Sequence, residues 1–312
     1  MNNFLLTFNI VLPSFLLICF GYMIKTVKLV RTDTVEQLNK LIFKTFLPVM
    51  LFMNIYQTRS GGSFDWKLIG FCTGCVLVVF FILCLLIPKI EKQNSVRSVM
   101  IQGIYRSNFV IFGIPITQAI LGSTQIGITA MTVAVIVPLY NFLAVVLLES
   151  YSGQRASAGQ ILWSVFKNPL IIGSFLGVLM MLLKVQLPYV VENVLSQLAS
   201  AATPLALMVL GASFRFDALR GKAKQLCFCI IGKLVVVPVI VLPVSLWLGF
   251  SGIQLATIVT MIGAPTAVNS YTMAKQMGAD GDLAGQIVVF TSMLCVLTMF
   301  TLIFICKQFC LF

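Results

Sequence analysis

The chain has 312 residues, of which 59% are hydrophobic and 10% charged, and its mean hydropathy is +1.04. That balance excludes an ordinary soluble domain and specifies an all-α polytopic membrane protein in contact with a lipid bilayer. The net charge of +12 would suit a nucleic acid, but most Lys and Arg residues fall in short connections between apolar stretches, where they report topology; no nucleic-acid partner is expected.

A bilayer core takes roughly 20 apolar residues per helical crossing. Ten stretches of that kind follow one another, over 3–24, 35–57, 66–88, 95–121, 124–149, 160–183, 189–213, 223–249, 252–277 and 283–306. The first lacks a basic leader and a small-residue cleavage site and holds Pro13 centrally, so it reads as a helix rather than a signal peptide. The third contains Cys72 and Cys75, a C-x-x-C, but the nine cysteines are odd in number and the chain has no histidine. The cysteines therefore read as small apolar packing residues; neither disulfides, a metal site nor a cofactor is expected.

The connections after stretches one, three, five, seven and nine carry Lys25, Lys28, Arg31, Lys40, Lys89, Lys92, Arg97, Arg155, Arg215, Arg220, Lys222, Lys224 and Lys275. The opposite side carries Arg59, Lys67, Lys184 and Lys307. The positive-inside rule puts the first set in the cytoplasm of a multi-pass plasma-membrane protein with both termini extracytoplasmic.

The two halves repeat one another. Pro13, Gly21, Lys28, Pro48 and Gly122 are each followed 156 residues later by a residue of the same type, at Pro169, Gly177, Lys184, Pro204 and Gly278. Several matches at one offset indicate an internal repeat, with residues 1–149 as the first five-helix unit, 150–159 as a short cytoplasmic linker and 160–312 as the second unit. Five crossings is an odd number, so the second unit enters the membrane from the opposite face. Inverted repeats of this kind characterise secondary transporters, whose sites lie where corresponding helices are broken.

Stretches four and nine carry that interruption. Phe112 to Pro115 reads FGIP and Ile262 to Pro265 reads IGAP. Pro removes an amide and Gly lowers the cost of unwinding, and the half-helix beyond each break directs the positive end of its dipole at the midplane, which suits an anion. Ser107, Asn108, Thr266, Asn269 and Ser270 supply donors and acceptors nearby. Pro115 and Pro265 are 150 residues apart rather than 156, so the strict counterpart of FVIFGIP is PTAVNSY, Pro265 to Tyr271, unless an insertion intervenes.

All nine acids fall in connections or at helix ends, whereas Arg106 and Lys233 lie about ten residues inside stretches four and eight, roughly 15 Å deep. A cation at that depth marks a pathway or a pairing. With no carboxylate at matching depth, the partner of Arg106 or Lys233 is a carbonyl, a half-helix C-terminus or an incoming anion, and Lys233 reads equally as a brace for unwound carbonyls. An enzyme is not expected, because the sequence offers no Ser-His pair, no zinc motif and no pair of buried carboxylates.

FLPVMLF in stretch two, NFVIFGIPI in four, KNPLIIGSFLG in six, ATPLALMVLGASF in seven, KLVVVP in eight and GAPTAVNSYTMAKQMG in nine occur in an order that resembles the auxin efflux carrier family, which includes plant auxin exporters and bacterial permeases for malate or malonate. The resemblance implies ten transmembrane helices in a 5+5 inverted repeat with crossed, broken helices four and nine, as in bile-acid symporters and NhaA-type antiporters. It implies a scaffold of helices one, two, six and seven that forms a homodimer, and an elevator-type carrier for a small organic anion such as a dicarboxylate. Pro115 and Pro265 become the crossover prolines, and Asn108, Gly113, Asn269 and Ser270 line the site. The short linker, 150–159, differs from the long central loop of plant exporters and suits a bacterial permease. A sodium- or proton-coupled symporter of the bile-acid type is the alternative.

Overall fold

The computed structural model describes residues 2–60, 64–121, 126–152, 158–217 and 219–311. Fifteen α-helices account for nearly all of it, and among the described residues there is no β-strand beyond one isolated bridge. α1 is Asn2–Thr26. α2 (Thr32–Leu41) runs through a π-helical turn, Ile42–Phe46, into α3 (Leu47–Tyr56), and α4 is Trp66–Ile90. α5 (Asn94–Tyr105) and α6 (Phe109–Leu121) share the fourth stretch, and α7 (Ile126–Ser150) fills the fifth. α8 (Ala158–Lys167), α9 (Pro169–Leu182) and α10 (Tyr189–Ser213) follow. α11 (Leu219–Ile231) continues through a second π-helical turn, Gly232–Val236, into α12 (Val237–Trp247). α13 (Gly252–Gly263) and α14 (Asn269–Gln276) share the ninth stretch, and α15 is Gly281–Gln308.

Among the described residues, seven helical segments are long and apolar enough to cross a membrane: Phe8–Thr26, Thr32–Tyr56, Trp66–Ile90, Gly127–Ser150, Tyr189–Ser213, Gly221–Trp247 and Gly281–Gln308. The other three apolar stretches are divided. Two divisions are expected, but the position of the first is not: α5 ends at Tyr105 and α6 begins at Phe109, so the backbone opens at Arg106–Asn108 rather than at Gly113–Pro115. Pro115 lies inside α6 and faces outward. A proline costs such a helix one amide, which packed membrane helices tolerate. The division of the sixth stretch is not foreseen at all: Asn168 accepts a hydrogen bond from the Leu170 amide at 3.0 Å and Pro169 opens α9, a capped start that separates α9 from the amphipathic α8. Gly122 and half of the linker, residues 153–157, lie outside the described residues.

Two layers form. α1 packs on α10 and α3 on α9, with α3 also touching α10. In the second layer α6 packs on α7 and α13, α14 on α15, α4 on α5 and α7, and α12 on α13; α1 against α15 joins the layers. α5 from Ser98 onward and α13 from Leu255 onward are buried on every side.

The first layer depends on backbones in direct contact. A Cβ on Gly21 would stand 2.0 Å from the carbonyl oxygen of Met208, and one on Gly177 would stand 2.9 Å from that of Phe52. Gly21 and Gly177 are 156 residues apart, and so are Phe52 and Met208. The α1–α10 contact and the α3–α9 contact are thus the same contact made twice. Small residues drive such association in lipid, where burial from water offers no force between helices.

The ends of α4 are tied across the molecule by side-chain amides. Asp65 caps its first turn by accepting from the Leu68 amide at 3.0 Å, and Gln225 donates to Glu91 beyond its last turn at 2.9 Å. Hydrogen bonds from Gln254 to Asp65 and from Gln225 to Glu91 hold both carboxyls below the usual carboxylate range, outweighing their slight desolvation.

Two outcomes follow in thermal melts of purified protein. Gly21→Ala lowers the melting temperature by several degrees, the overpacking cost being about 1–3 kcal/mol, whereas Gly70→Ala on α4, with nothing within 4 Å of its added methyl, leaves it unchanged or slightly higher. A depressed carboxyl stabilises the fold above its unfolded pKa and loses that contribution as pH falls through its folded pKa. The melting temperature of the native protein therefore drops more steeply between about pH 5 and pH 2 than that of an Asp65→Asn, Glu91→Gln double variant.

Candidate functional site

The two open segments cross. Arg106, Ser107 and Asn108 separate α5 from α6, and Ala264 to Val268 separate α13 from α14. Ser107 and Thr266 pair as an isolated antiparallel bridge, and the Asn108 amide donates to the Pro265 carbonyl at 2.8 Å. Asn108 thus faces Pro265. Thr266 is fixed from two more sides: its hydroxyl donates to the Gly103 carbonyl at 2.6 Å, and its amide donates to the Thr291 hydroxyl on α15 at 3.2 Å. Each unwound strand supplies the hydrogen bonds that the other lost by leaving the helix.

A crossing of two broken helices has four helix ends, and the structure sorts them by sign. A cavity of about 40 Å3 lies against the first turns of α6 and α14, lined there by Asn108, Phe109, Val110, Ile111, Val268 and Asn269. Two helix N-termini therefore direct their positive dipole ends toward it. Arg106 lines the same cavity, 2% exposed. Its guanidinium donates to the Asn141 side-chain oxygen on α7 and to the Met273 sulfur on α14 at 2.7 Å. Neither acceptor carries charge. Met50 and Leu51 of α3 and Thr203 of α10 close the cavity from the first layer, leaving room for roughly two or three waters.

A second, smaller cavity of about 20 Å3 lies against the other two ends, beside Tyr105, Met261 and Ile262 in the last turns of α5 and α13. Lys233 lines this one, 1% exposed, and its ammonium donates to the Ser107 hydroxyl. The second π-helical turn, Gly232–Val236, brings it there. Helix C-termini are negative ends, so the lysine is on the side that favours a cation. Ser107 and Tyr140 stand between the two cavities: Ser107 lines both, and so does Tyr140.

Of the residues expected at the site, Arg106, Asn108 and Asn269 line the larger cavity. Pro265 and Thr266 hold the crossing without lining it. Gly113 lies a turn further along α6, beneath the Phe109 ring, and Pro115 is on the outer surface. Ser270 is buried, and its hydroxyl has no partner. Asn141, Tyr140, Met50, Thr203 and Met273 complete the surroundings and are absent from the sequence reading. Asn141 had a signal, an amide in the middle of an apolar stretch three residues after Pro138; Met50 and Met273 had none.

A family model described as membrane transport protein matches residues 6–303. A protein of Rhizobium meliloti named "Putative malonate transporter" is 25% identical, with 96% of each chain covered. Proteins named as uncharacterized transporters from Methanothermobacter thermautotrophicus and Methanocaldococcus jannaschii are 22% and 21% identical, with 91% of this chain covered in both cases. With its motifs, its seven apolar spans and a match over nearly its whole length, the chain belongs to the membrane transport protein family, that of the auxin efflux carriers, and is a multi-pass transporter rather than an enzyme.

Proposed function

We propose that the protein is a secondary transporter of a small organic anion, a carboxylate such as malate or malonate, working across the plasma membrane with both termini outside. The observation that carries this reading is Arg106: a buried guanidinium at two helix N-termini, held by an amide oxygen and a thioether, with no acid to balance it. Buried charge without a counter-ion is expensive, and an incoming carboxylate supplies that counter-ion with bidentate geometry. Asn108 and Asn269 add neutral donors on either side. The malonate transporter name of one relative agrees with the class.

Ten crossings in a 5+5 inverted repeat are the architecture this reading requires. The twin contacts of Gly21 with Met208 and Gly177 with Phe52 support it, since they repeat at the offset of the sequence. The cavity's position between the layers, with Met50 and Thr203 on one side and the crossing on the other, supports an elevator: the crossing layer slides against the α1–α3–α9–α10 scaffold, carrying the anion. The scaffold pairs with a second copy through the outer faces of α9 and α10, where Phe175 and Tyr189 stand exposed. Lys233 braces the crossing from its negative side through Ser107.

One observation favours cation coupling as a second reading. The oxygens of Gln102, Ser270 and Gln286 are buried without partners, on helices α5, α14 and α15 that pack on one another. Uptake that requires a sodium gradient, and is reduced by Gln286→Leu, would select it; equal uptake with and without sodium or proton gradients selects uniport.

The test of the leading reading is carboxylate uptake by proteoliposomes. Arg106→Gln lowers malonate or malate uptake at least about tenfold, the loss of one charge-assisted hydrogen bond being worth about 1.5–3 kcal/mol, while Pro115→Ala, on the outer surface, stays within about twofold of the native rate. Native-rate uptake by a correctly inserted Arg106→Gln protein removes the site.

A further inference from the structure

A slot of about 680 Å3 runs between α4 and the α11–α12 rod; Cys75, Val79, Val237 and Val241 form a wall between it and the smaller cavity beside Lys233. Every residue lining it is apolar, from Phe71 to Leu86 on one wall and from Phe228 to Val244 on the other, with buried Ile104 at the bottom. At 1.5 Å per residue the walls are about 22 Å long, more than half of a hydrocarbon core of about 30 Å.

The two ends differ. At one, Lys67, a turn before Phe71, donates to the carbonyl of Leu248, a turn after Val244, at 3.1 Å, and its ammonium lies 4.7 Å from the centre of the Phe250 ring. That bridge closes the slot. At the other end Lys89 follows Leu86 by three residues and Lys224 precedes Phe228 by four, spacings that keep each lysine on the slot side of its helix. Both are exposed. Among the described residues Glu91 forms no ion pair with either lysine; its oxygens accept from Gln225 at 2.9 Å and from the Lys92 and Gln93 amides at 2.7 and 2.9 Å.

We propose that this slot is a binding site for an anionic phospholipid, with one acyl chain between α4 and α11–α12 and the headgroup phosphate between Lys89 and Lys224. An apolar channel of chain-like length, closed at one end and flanked by two ammonium groups at the other, matches an amphiphile with an anionic head. A small hydrophilic carboxylate finds no donor inside it. The site has a structural consequence: Ile104 and Gly232 at the bottom adjoin Tyr105 and Lys233, so the bound chain presses α4 and the second π-helical turn onto the crossing.

The experiment uses the full-length protein, delipidated in detergent, with phosphatidylglycerol or phosphatidylcholine added, read by native mass spectrometry and thermal melting. Phosphatidylglycerol is retained as a one-lipid adduct and raises the melting temperature; phosphatidylcholine binds more weakly by on the order of tenfold or more, as two lysines at a charged headgroup imply. A Lys89→Gln, Lys224→Gln double variant brings phosphatidylglycerol down to the level of phosphatidylcholine. Gly74→Leu fills the slot, since nothing lies within 4 Å of a methyl added there, and removes both adducts. Equal shifts with the two lipids that survive the lysine variant mean annular lipid only and overturn the proposal. A concentration-dependent dimer that Gly74→Leu abolishes, with no lipid adduct on the native protein, assigns the slot to a second copy and overturns it as well. If Gly74→Leu does not fold, the lysine variant alone decides.

Discussion

The structure depends on one constraint: backbone that leaves a helix deep in an apolar layer must find hydrogen bonds without water. Two open segments meet that constraint by crossing. The Asn108 amide takes the Pro265 carbonyl, Ser107 pairs with Thr266, and Thr266 adds bonds to Gly103 and Thr291. Neither segment could stay open alone, because each supplies the partners of the other. The burial of α5 and α13 on nearly every side, and the packing of α15 along α14, follow from the need to enclose that junction.

Crossing also decides where charge goes. Four helix ends meet, and the two positive ones face one cavity while the two negative ones face another. Arg106 lines the first and Lys233 the second, so two cations at similar depth in the sequence have opposite electrostatic surroundings. Lys233 is among negative dipole ends and bonds to Ser107, an arrangement that already favours it. Arg106 is beside positive ends with only Asn141 and Met273 to accept from it. The imbalance at Arg106 is the observation on which the proposed anion site rests.

The membrane class and the interruption of the fourth and ninth stretches were legible in the sequence, because hydropathy and Pro-Gly spacing are local signals. The sequence misdirected the first break by six or more residues. Pro13, Pro88, Pro115, Pro138, Pro204 and Pro243 all lie inside continuous helices, so proline by itself does not open a helix here. What opens the fourth stretch is a polar run, Arg106 to Asn108, whose first two side chains are engaged by Asn141, Met273 and Lys233 and whose Asn108 amide has a carbonyl waiting on the other segment. That carbonyl is distant in sequence. The same reasoning explains why Asn141 was legible in principle and Met273 was not: an amide inside an apolar run is conspicuous, whereas a methionine that accepts from a guanidinium looks like any other core residue.

The internal contacts are not of one quality, and the difference follows the two layers. Where α1 meets α10 and α3 meets α9, glycine lets backbones touch, although the Asn54 amide nitrogen on α3 and the Ser174 hydroxyl on α9 are buried without partners. Where α14 meets α2 and the first π-helical turn, Lys275 reaches Glu36 at 3.6 Å, both half-exposed, and the buried Asn39 and Thr272 side chains have no hydrogen-bond partner. Each unpartnered group costs about 1–3 kcal/mol that water would return, and the exposed ion pair contributes little in exchange. Backbone contact through glycine sets the first case apart from the second, where the end of α14 meets α2 through an exposed ion pair and the unpartnered Asn39 and Thr272. That second boundary gains hydrogen bonds by admitting water, and it belongs to the helix, α14, whose first turn lines the larger cavity through Asn269, so it is the place where the sliding proposed above would cost least.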